Sequence, residues 1–478
     1  MFRGQSKVKD LIDRGIAEKR SVLLYGDPDV DGLMSLKLMC DLFDGKGVSY
    51  TYHVNENREH GFQLPIESLK GRLIVAADFA MSRNEIVALI NNGNYIISLD
   101  HHDIDDDMVE YDCGVIINNQ YAFEPEERRY LSGAGVVYEV FSELYPEFAS
   151  KEREAIVGIT LLSDARAIEN DLARAYLRTT FSSNDEYIRY LIECTLTSDF
   201  GFGAPRMDRS FVDFTFSPTV NAMLRFNKTK EATEFILGKG IDQNTAWREQ
   251  QKLLVADMMK RVEVLNLPSV FVLAIDADLY CQPITGFIGL LCSRYKNNKK
   301  SAIIFAYKGN KILRASFRGL YDGVNYRDAL RKLGLRAEGH SIAFGIVDFA
   351  PSPDLWKKLN LTIARLEQDH EDTRNILEVS NLSAIMLNKG MKIANDNCYV
   401  RDMFRTYIKY TGTKYNETRH TYRKNKDNTY ELDEGGNKIT KYIEYLVDGR
   451  IVKSFGTGLN EGLILPLLEK GYIQLYVQ

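Results

Sequence analysis

No uninterrupted apolar stretch in this chain approaches about 18 residues, so no membrane-spanning helix is expected. The first residues, Met1-Phe2-Arg3-Gly4-Gln5-Ser6-Lys7, lack the apolar core of a secretory signal. Cysteine is sparse. The six thiols (Cys40, Cys113, Cys194, Cys281, Cys292, Cys398) are scattered without CxxC spacing. That pattern argues against zinc and fits reduced thiols in a cytoplasmic protein. Internal repeats and low-complexity linkers are missing too. A net positive charge is also lacking: 61 Lys and Arg against 66 Asp and Glu leave −5, which excludes a uniformly basic nucleic-acid binder. What remains is a soluble globular chain, 45% hydrophobic and 27% charged, whose 478 residues suggest roughly two to four domains.

The chemistry concentrates in two clusters. Gly26-Asp27-Pro28-Asp29-Val30-Asp31-Gly32 follows the apolar run 21–25, and Leu99-Asp100-His101-His102 follows the run 95–98. Such runs read as buried parallel strands. In an open α/β sheet ligands gather at the carboxyl ends of the strands, so both clusters converge on one crevice. Three aspartates alternating over five residues repel one another and call for a cation. Hard oxygen donors beside imidazole suit Mn²⁺ or Mg²⁺. Taken singly, each cluster also fits a solvated acidic turn or packing histidines. Two further strand-like segments ending in a carboxylate, 73–77 into Asp78 and 156–163 into Asp164, favour the metal site.

The remaining organisation follows from periodicity. Residues 7–19 read as a short helix. Leu33, Leu36, Met39, Leu42 and Phe43 have helical spacing, so the acidic loop opens a helix, with Gly32 easing the turn. Strand–helix alternation to about residue 170 indicates a mostly parallel sheet. Ser132-Gly133-Ala134-Gly135 opens a helix through Leu144; its glycines fit either close approach to a ligand or tight packing. Residues 171–240 read as a helical cap, and 244–265 as one long connecting helix with Leu254, Met258, Val262 and Leu265 along one face. A second α/β domain spans 270–348, with a hairpin turning at Lys308-Gly309-Asn310-Lys311. A helix is expected over 354–378. Beyond about 383 the pattern is strand-rich, with turns at Lys426-Asp427-Asn428, Glu434-Gly435-Gly436-Asn437 and Asp448-Gly449. Basic residues form two tracks despite the acidic total. One holds eight Lys or Arg between Arg294 and Arg318 with no acid; the other runs from Arg401 to Lys426. The acidic excess lies partly in the 103–112 loop.

The order DxDxDG, strand-end Asp78, Asp100-His101-His102 and Asp164 resembles that of the DHH phosphoesterases. Further stretches resemble the RecJ-like single-strand exonucleases within them. These are Asn57-Arg58-Glu59-His60-Gly61-Phe62, Pro218-Thr219-Val220-Asn221-Ala222-Met223-Leu224-Arg225 and Gly286-Phe287-Ile288-Gly289-Leu290-Leu291-Cys292-Ser293-Arg294. Glu338-Gly339-His340 stands where the DHHA1 domain of that family has Gly-Gly-His. The resemblance covers roughly residues 20–350. Two departures stand out: Glu338 replaces the first glycine, and Phe79-Ala80 follows Asp78 where many relatives have a small residue.

The resemblance implies an α/β chain in four parts: a DHH domain with its cap over 1–240, a connecting helix over 241–266, a DHHA1-like domain over 267–350, and a β-rich, OB-like tail over 351–478. It implies Asp29, Asp31, Asp78, His101 and Asp164 as ligands of two Mn²⁺ or Mg²⁺ ions, with Asp78 a bridge and Asp27 either a ligand or a neighbour of one. Asp100 would orient a histidine, and His102 would contact phosphate or assist proton transfer. Arg58, Asn221 and Arg225 fit either substrate phosphate or structural pairing, and the resemblance favours the substrate. Arg294, Ser316, Arg318, Gly339 and His340 complete the expected substrate contacts. Tyr407, Tyr410, Tyr415 and Tyr422, interleaved with Arg405, Lys409, Arg419 and Arg423, fit either base stacking or a solvated sheet. The implied activity is 5′-to-3′ hydrolysis of single-stranded DNA to mononucleotides. The partners implied are single-stranded DNA and a single-strand-binding protein or helicase, with no membrane and a monomer favoured. Rival readings are a phosphodiesterase of short oligonucleotides or cyclic dinucleotides, and an inactive DNA-binding scaffold.

Overall fold

The structure is a computed structural model describing residues 2–58, 60–102, 110–121, 128, 130–164, 166, 170–195, 207–240, 244–296, 300–321, 324–368, 375–379, 406–410, 415–424, 429–432, 436–447, 450–454, 464–469 and 472–477. It divides into two units: 1–164 with 183–373, and 165–182 with 374–478.

The first unit opens with α1 (Gln5–Ala17), β1 (Val22–Gly26), α2 (Val30–Gly45), β2 (Tyr50–Val54), β3 (Leu73–Ala77), α3 (Arg83–Asn91), β4 (Tyr95–Asp100), β5 (Glu110–Tyr111), β6 (Gly114–Asn118), α4 (Gly133–Leu144) and α5 (Lys151–Ser163). The strands form a sheet in the order β2-β1-β3-β4-β6-β5, parallel except for β5. Every residue of β1, β3, β4 and β6 is buried, as unbroken apolar runs covered on both faces require. Leu23, Tyr25, Ile74, Ala76, Ile96 and Ile116 share one face and pack on Ile86 and Leu89 of α3. The expected strand before Asp164 is a helix instead. Ser150 caps it by accepting from the Arg153 N–H at 3.2 Å, and acids fill its first turn. A short β-branched apolar run cannot be told from a fully buried helix by periodicity.

After α6 (Asp171–Ser182), which groups with the second unit, come α7 (Glu186–Thr195), α8 (Arg209–Phe211), a π-helical turn (Val212–Phe216), α9 (Ser217–Arg225), α10 (Thr229–Ile236) and α11 (Asn244–Arg261). The expected helix over 244–265 stops short, because Glu263–Asn266 leaves it as β7, pairing antiparallel with β8 (Val270–Asp276). There follow α12 (Ile288–Lys296), β9 (Ser301–Lys308), β10 (Lys311–Arg318), α13 (Tyr326–Lys332), β11 (Arg336–Gly339), β12 (Ala343–Val347) and α14 (Pro353–Gln368). The second sheet runs β11-β12-β10-β9-β8-β7. Strand alternation splits its core: Leu273, Ile275, Ile304 and Ala306 face Val255 and Met258 of α11 and Leu291 of α12. Val270, Val272, Ile303 and Phe317 face Leu330 of α13 and Leu359 and Ile363 of α14.

In the second unit, the helix expected over 354–378 is interrupted: Asn375–Val379 is β13, parallel to β14 (Thr406–Tyr410). With β15 (Tyr415–Tyr422), β16 (Thr440–Val447), β17 (Arg450–Ser454), β18 (Ile464–Glu469) and β19 (Tyr472–Val477) they form one sheet, β13-β14-β18-β19-β17-β16-β15. That is a seven-stranded open order; among the described residues its end strands do not pair, unlike a closed OB-type barrel. Its order also divides the tyrosine-rich tract, with Tyr407, Lys409 and Tyr410 on β14 and Tyr415, Arg419 and Tyr422 on β15. Arg405, the turns at 426–428 and 448–449, and residues 103–109 of the acidic loop lie outside the described residues. No helix among those described is long and apolar enough to cross a membrane.

Candidate metal centre and basic recess

Strand register builds the centre. Gly26 pairs with Ala77, and Ala77 with Leu99, so the next residues, Asp27, Asp78 and Asp100, emerge at one level from three neighbouring strands. Asp78 sits in the left-handed region (φ 68°), a conformation that costs an ordinary residue energy and turns its carboxylate into the crevice. Gly133 makes room for it: a Cβ there would stand 2.5 Å from Asp78 Oδ1. Gly32 is likewise needed for close approach, since a Cβ there would collide with the Asp27 carbonyl oxygen. Asp29 caps α2 by accepting from the Gly32 N–H at 3.0 Å. The first N–H groups of α4 take Asp31: Gly133 N–H donates to Oδ2 at 2.6 Å and Ala134 N–H to Oδ1 at 3.0 Å. Of the Ser132–Gly135 stretch, Gly133 and Ala134 therefore serve the site, whereas Gly135 serves packing against Leu131 and Val157.

His101 is buried with Nε2 facing three carboxylates: Asp78 Oδ1 at 3.0 Å, Asp31 Oδ2 at 3.7 Å and Asp164 Oδ2 at 3.7 Å. Asp164 arrives from the end of α5, not from a strand. One donor atom from each of Asp27, Asp29 and Asp78 lies within 4.8 Å of the others, and the same holds for Asp31, His101 and Asp164. This arrangement is costly by itself. Burial and the charge of Asp29 raise Asp31 to about 6 against the α4 N–H groups that lower it. Burial, then Asp31, Asp29, Asp27 and Asp164, push Asp78 well above the carboxylate range. Burial raises Asp27, partly offset by His60. Buried carboxylate oxygens without hydrogen-bond partners, Asp27 Oδ1 and Asp78 Oδ1, are what a hard divalent cation would satisfy. The donor set fits such an ion.

These raised acids have a measurable consequence. The folded, metal-free chain holds protons on Asp31, Asp27 and Asp78 more tightly than the unfolded chain, which releases them above about pH 4. Their contribution to stability is therefore lost as pH rises through about 6. A bound divalent ion replaces those protons. The rise in melting temperature on adding Mg²⁺ should accordingly grow between pH 5 and pH 8 by differential scanning fluorimetry. A shift equal at both pH values would refute the coupling.

His102 points its Nδ1 at Asp100 Oδ1, 2.8 Å away. Burial lowers its pKa, but Asp100, with Asp27 and Asp164 beyond, lifts it to about 10. Its backbone carbonyl accepts from Asn118 Nδ2 at 2.8 Å and Gln120 Nε2 at 3.0 Å, which fixes the turn. His340, at the β11–β12 turn of the second sheet, stacks on His102 with ring centroids 5.7 Å apart. Gly339 makes that turn possible at φ 127°. Glu338 is exposed and pairs with Arg336, and Phe79 is buried edge-on against Tyr25, so neither departure from the family pattern enters the centre.

Arginines gather beside the acids. Arg58, also left-handed (φ 52°), has an Nε sealed from solvent without a partner, as does Arg225. Burial, then Arg58 and Arg318, bring Arg225 down to about 9. Arg58 and Arg318 are lowered too, burial being the main cause. Asp29 and Asp27 favour the Arg58 charge against that burial, while Arg58 in turn works against the charges of Arg225 and Arg318. Arg225 donates to Gln251 Oε1 at 2.9 Å, and Arg318 to Ser316 Oγ at 3.0 Å. Both glycines of Gly286-x-x-Gly289 make room here: a Cβ at Gly289 would meet Arg318 Nη2 at 2.8 Å, and one at Gly286 would meet the Arg225 carbonyl at 3.3 Å. Asn221 lies half-buried one turn before Arg225 on α9, while Arg294 is exposed on the last turn of α12, with nothing to place it in the recess. The sequence reading missed His60, whose Nδ1 lies 2.5 Å from Asp27 Oδ2. No spacing signal marks a pair 33 residues apart.

Comparison with known proteins agrees with this geometry. Residues 21–163 match the DHH family, N-terminal domain. The single-stranded-DNA-specific exonuclease RecJ of Bacillus subtilis (strain 168) is 22% identical over 393 residues, covering 75% of this chain and 48% of that protein. That of Dickeya dadantii (strain 3937) is 24% identical over 393 residues, covering 72% of this chain and 66% of the relative. The chain thus spans about half to two thirds of the length of these relatives. Among solved structures, RecJ in complex with Mn²⁺ from Thermus thermophilus matches all of this chain and 71% of its own, with a TM-score of 0.66 at 16% identity. A second manganese-bound exonuclease RecJ matches 78% of this chain and 96% of its own, with a TM-score of 0.56 at 17% identity.

Proposed function

We propose that the chain, whose residues 21–163 match the DHH family N-terminal domain and which is similar to RecJ over most of its length, is a metal-dependent nuclease that hydrolyses single-stranded DNA from the 5′ end to mononucleotides. The observation that carries this reading is the cluster of Asp27, Asp29, Asp31, Asp78, His101 and Asp164, with the charge of Arg58 coupled both to Asp27 and Asp29 and to Arg225 and Arg318. A phosphodiester with its metal ions needs this juxtaposition: cations at the acids and an anion at the arginines.

In this reading Asp27, Asp29, Asp31, Asp78, His101 and Asp164 would hold two Mn²⁺ or Mg²⁺ ions, whose chemistry when bound would be activation of water at neutral pH and neutralisation of phosphoryl charge. The chain's own residues do the rest. Arg58, Arg225 and Arg318, with Ser316 behind Arg318 and Asn221 on the same helix as Arg225, orient the strand through its phosphates. Asp100 keeps the His102 ring oriented and protonated at Nδ1. His340 closes over His102 from the second sheet and adds a contact to the same phosphate.

The test uses purified full chain with Mn²⁺ on single-stranded DNA labelled separately at each end, beside a dinucleotide RNA and a cyclic dinucleotide. Mononucleotides released first from the 5′ end, and abolished by EDTA, are expected. Turnover confined to the short substrates would make the chain an oligonucleotide phosphodiesterase. Strand binding without turnover under any metal would make it a scaffold.

A further inference from the structure

We propose that His60 is a positioning residue of the metal centre, holding one oxygen of Asp27 so that the other is presented to the ion; this rests on the metal-dependent reading above. Asp27 is buried, and its two oxygens have different surroundings. Oδ2 lies 2.5 Å from His60 Nδ1, whereas Oδ1 is sealed from solvent and has no hydrogen-bond partner. Asp29 and Asp78 each bring an oxygen within 4.8 Å of an Asp27 oxygen. A carboxylate on a short side chain rotates about its last bond unless something fixes it. Among the described residues His60 makes the one hydrogen bond to this side chain. A hydrogen bond to the far oxygen of a metal-binding carboxylate sets its orientation and its basicity.

His60 is half-exposed, so its place comes from its loop and not from being packed into the core. Tyr25, two residues before Asp27, supplies the anchor. Its buried hydroxyl donates to Asn55 Oδ1 and accepts from the Gln63 N–H at 3.0 Å. Asn55 Nδ2 donates to the Gly61 carbonyl at 2.7 Å, and the Tyr25 ring stacks on Phe62 at 4.9 Å. Gly61 turns the chain at φ 84° directly after His60. The strand that delivers Asp27 therefore also fixes the loop that returns His60 to it. Arg58 rides on the same loop, so one anchor sets the spacing between metal centre and basic recess.

The experiment is Mn²⁺ titration of metal-stripped full chain, by calorimetry and by the electron paramagnetic resonance signal of free Mn²⁺. Wild type, His60→Ala and His60→Asn are compared, with melting curves to show that each is folded. His60→Ala should weaken one Mn²⁺ step by about 10–100-fold. His60→Asn, whose amide nitrogen falls near the place of Nδ1, should recover most of the loss. Turnover by His60→Ala should return as Mn²⁺ is raised, with KM for the strand unchanged. Equal Mn²⁺ affinity in wild type and His60→Ala overturns the proposal, as does an Asn variant as weak as Ala. A raised KM that Mn²⁺ does not relieve overturns it as well, by making His60 a support for Arg58 alone. Wild type that binds no divalent ion would instead sink the reading on which the proposal stands.

Discussion

An Asp78→Asn variant should lose about 10³-fold or more in turnover and yet, stripped of metal, melt at a higher temperature than wild type. Asp78 is the acid common to the site's two sides: it lies 3.0 Å from His101 Nε2 and groups with Asp27 and Asp29. Losing one ion's share of transition-state charge neutralisation costs several kcal/mol, and each 1.36 kcal/mol is about tenfold in rate. The gain in stability has a separate origin. Burial and the charges of Asp31, Asp29, Asp27 and Asp164 all oppose ionisation of Asp78, so the metal-free fold at neutral pH bears the cost of keeping a proton there that the unfolded chain would release. Asparagine keeps the shape without the charge. It also tolerates the left-handed backbone at φ 68° at least as well as aspartate does. The expected signature is a crossover: the variant melts higher than wild type in EDTA and lower than wild type in Mn²⁺. A variant that melts lower in both would show that Asp78 supports the fold. Turnover within tenfold of wild type would remove Asp78 from the metal centre.

The acids of this centre could be read from the sequence because their signal is local. Each of the runs 22–26, 73–77 and 95–100 is apolar until it stops at a polar residue, and a parallel sheet brings such stops to one edge. Asp164 shows the limit of that logic. Apolar periodicity predicts a strand for the run before it, although Ser150 and the acids after it mark a helix start. The end of that helix brings Asp164 to 3.7 Å from His101 all the same, because the chemistry depends on where the segment stops and not on its type. His60 was illegible for the opposite reason: its partner is chosen by a loop anchored on Tyr25, and no periodicity records that. Gly289 was visible as a motif, but its reason, the guanidinium of Arg318 from another element, exists only in three dimensions. The tyrosine-rich tract is continuous in sequence, yet β14 and β15 are separated in the sheet by β18, β19, β17 and β16. Composition alone could not have divided it.

The basic recess yields the second large effect, the mirror image of the first. Arg225→Gln should weaken strand binding by about 10- to 100-fold, the worth of roughly 1.5–3 kcal/mol for a hydrogen bond to a charged group. Glutamine ends near the place of Arg225 Nε, two bonds short of the Nη1 that donates to Gln251 Oε1 at 2.9 Å, so that hydrogen bond is lost with the charge. What is removed is a cation whose neighbours, Arg58 and Arg318, already work against its charge. Relief of that repulsion opposes the loss of the bond to Gln251, so the melting temperature should change little. An ordinary surface ion pair would not predict the loss of binding, since breaking one costs little. The measurement belongs in the Asp78→Asn background, where the strand survives long enough for an equilibrium titration. If Arg225 neutralises a phosphate, the slope of log K against log salt should become shallower by about 0.7, the single-strand value for one contact. Arg225→Lys, with the charge but not the planar fork, should keep the slope and lose part of the affinity. Weaker binding with an unchanged slope in Arg225→Gln would mean that Arg225 shapes the recess through Gln251 without touching the strand. The arginines at Arg58 and Arg318 would then carry the anion, and the mutual repulsion at Arg225 would serve to keep their guanidinium groups turned outward.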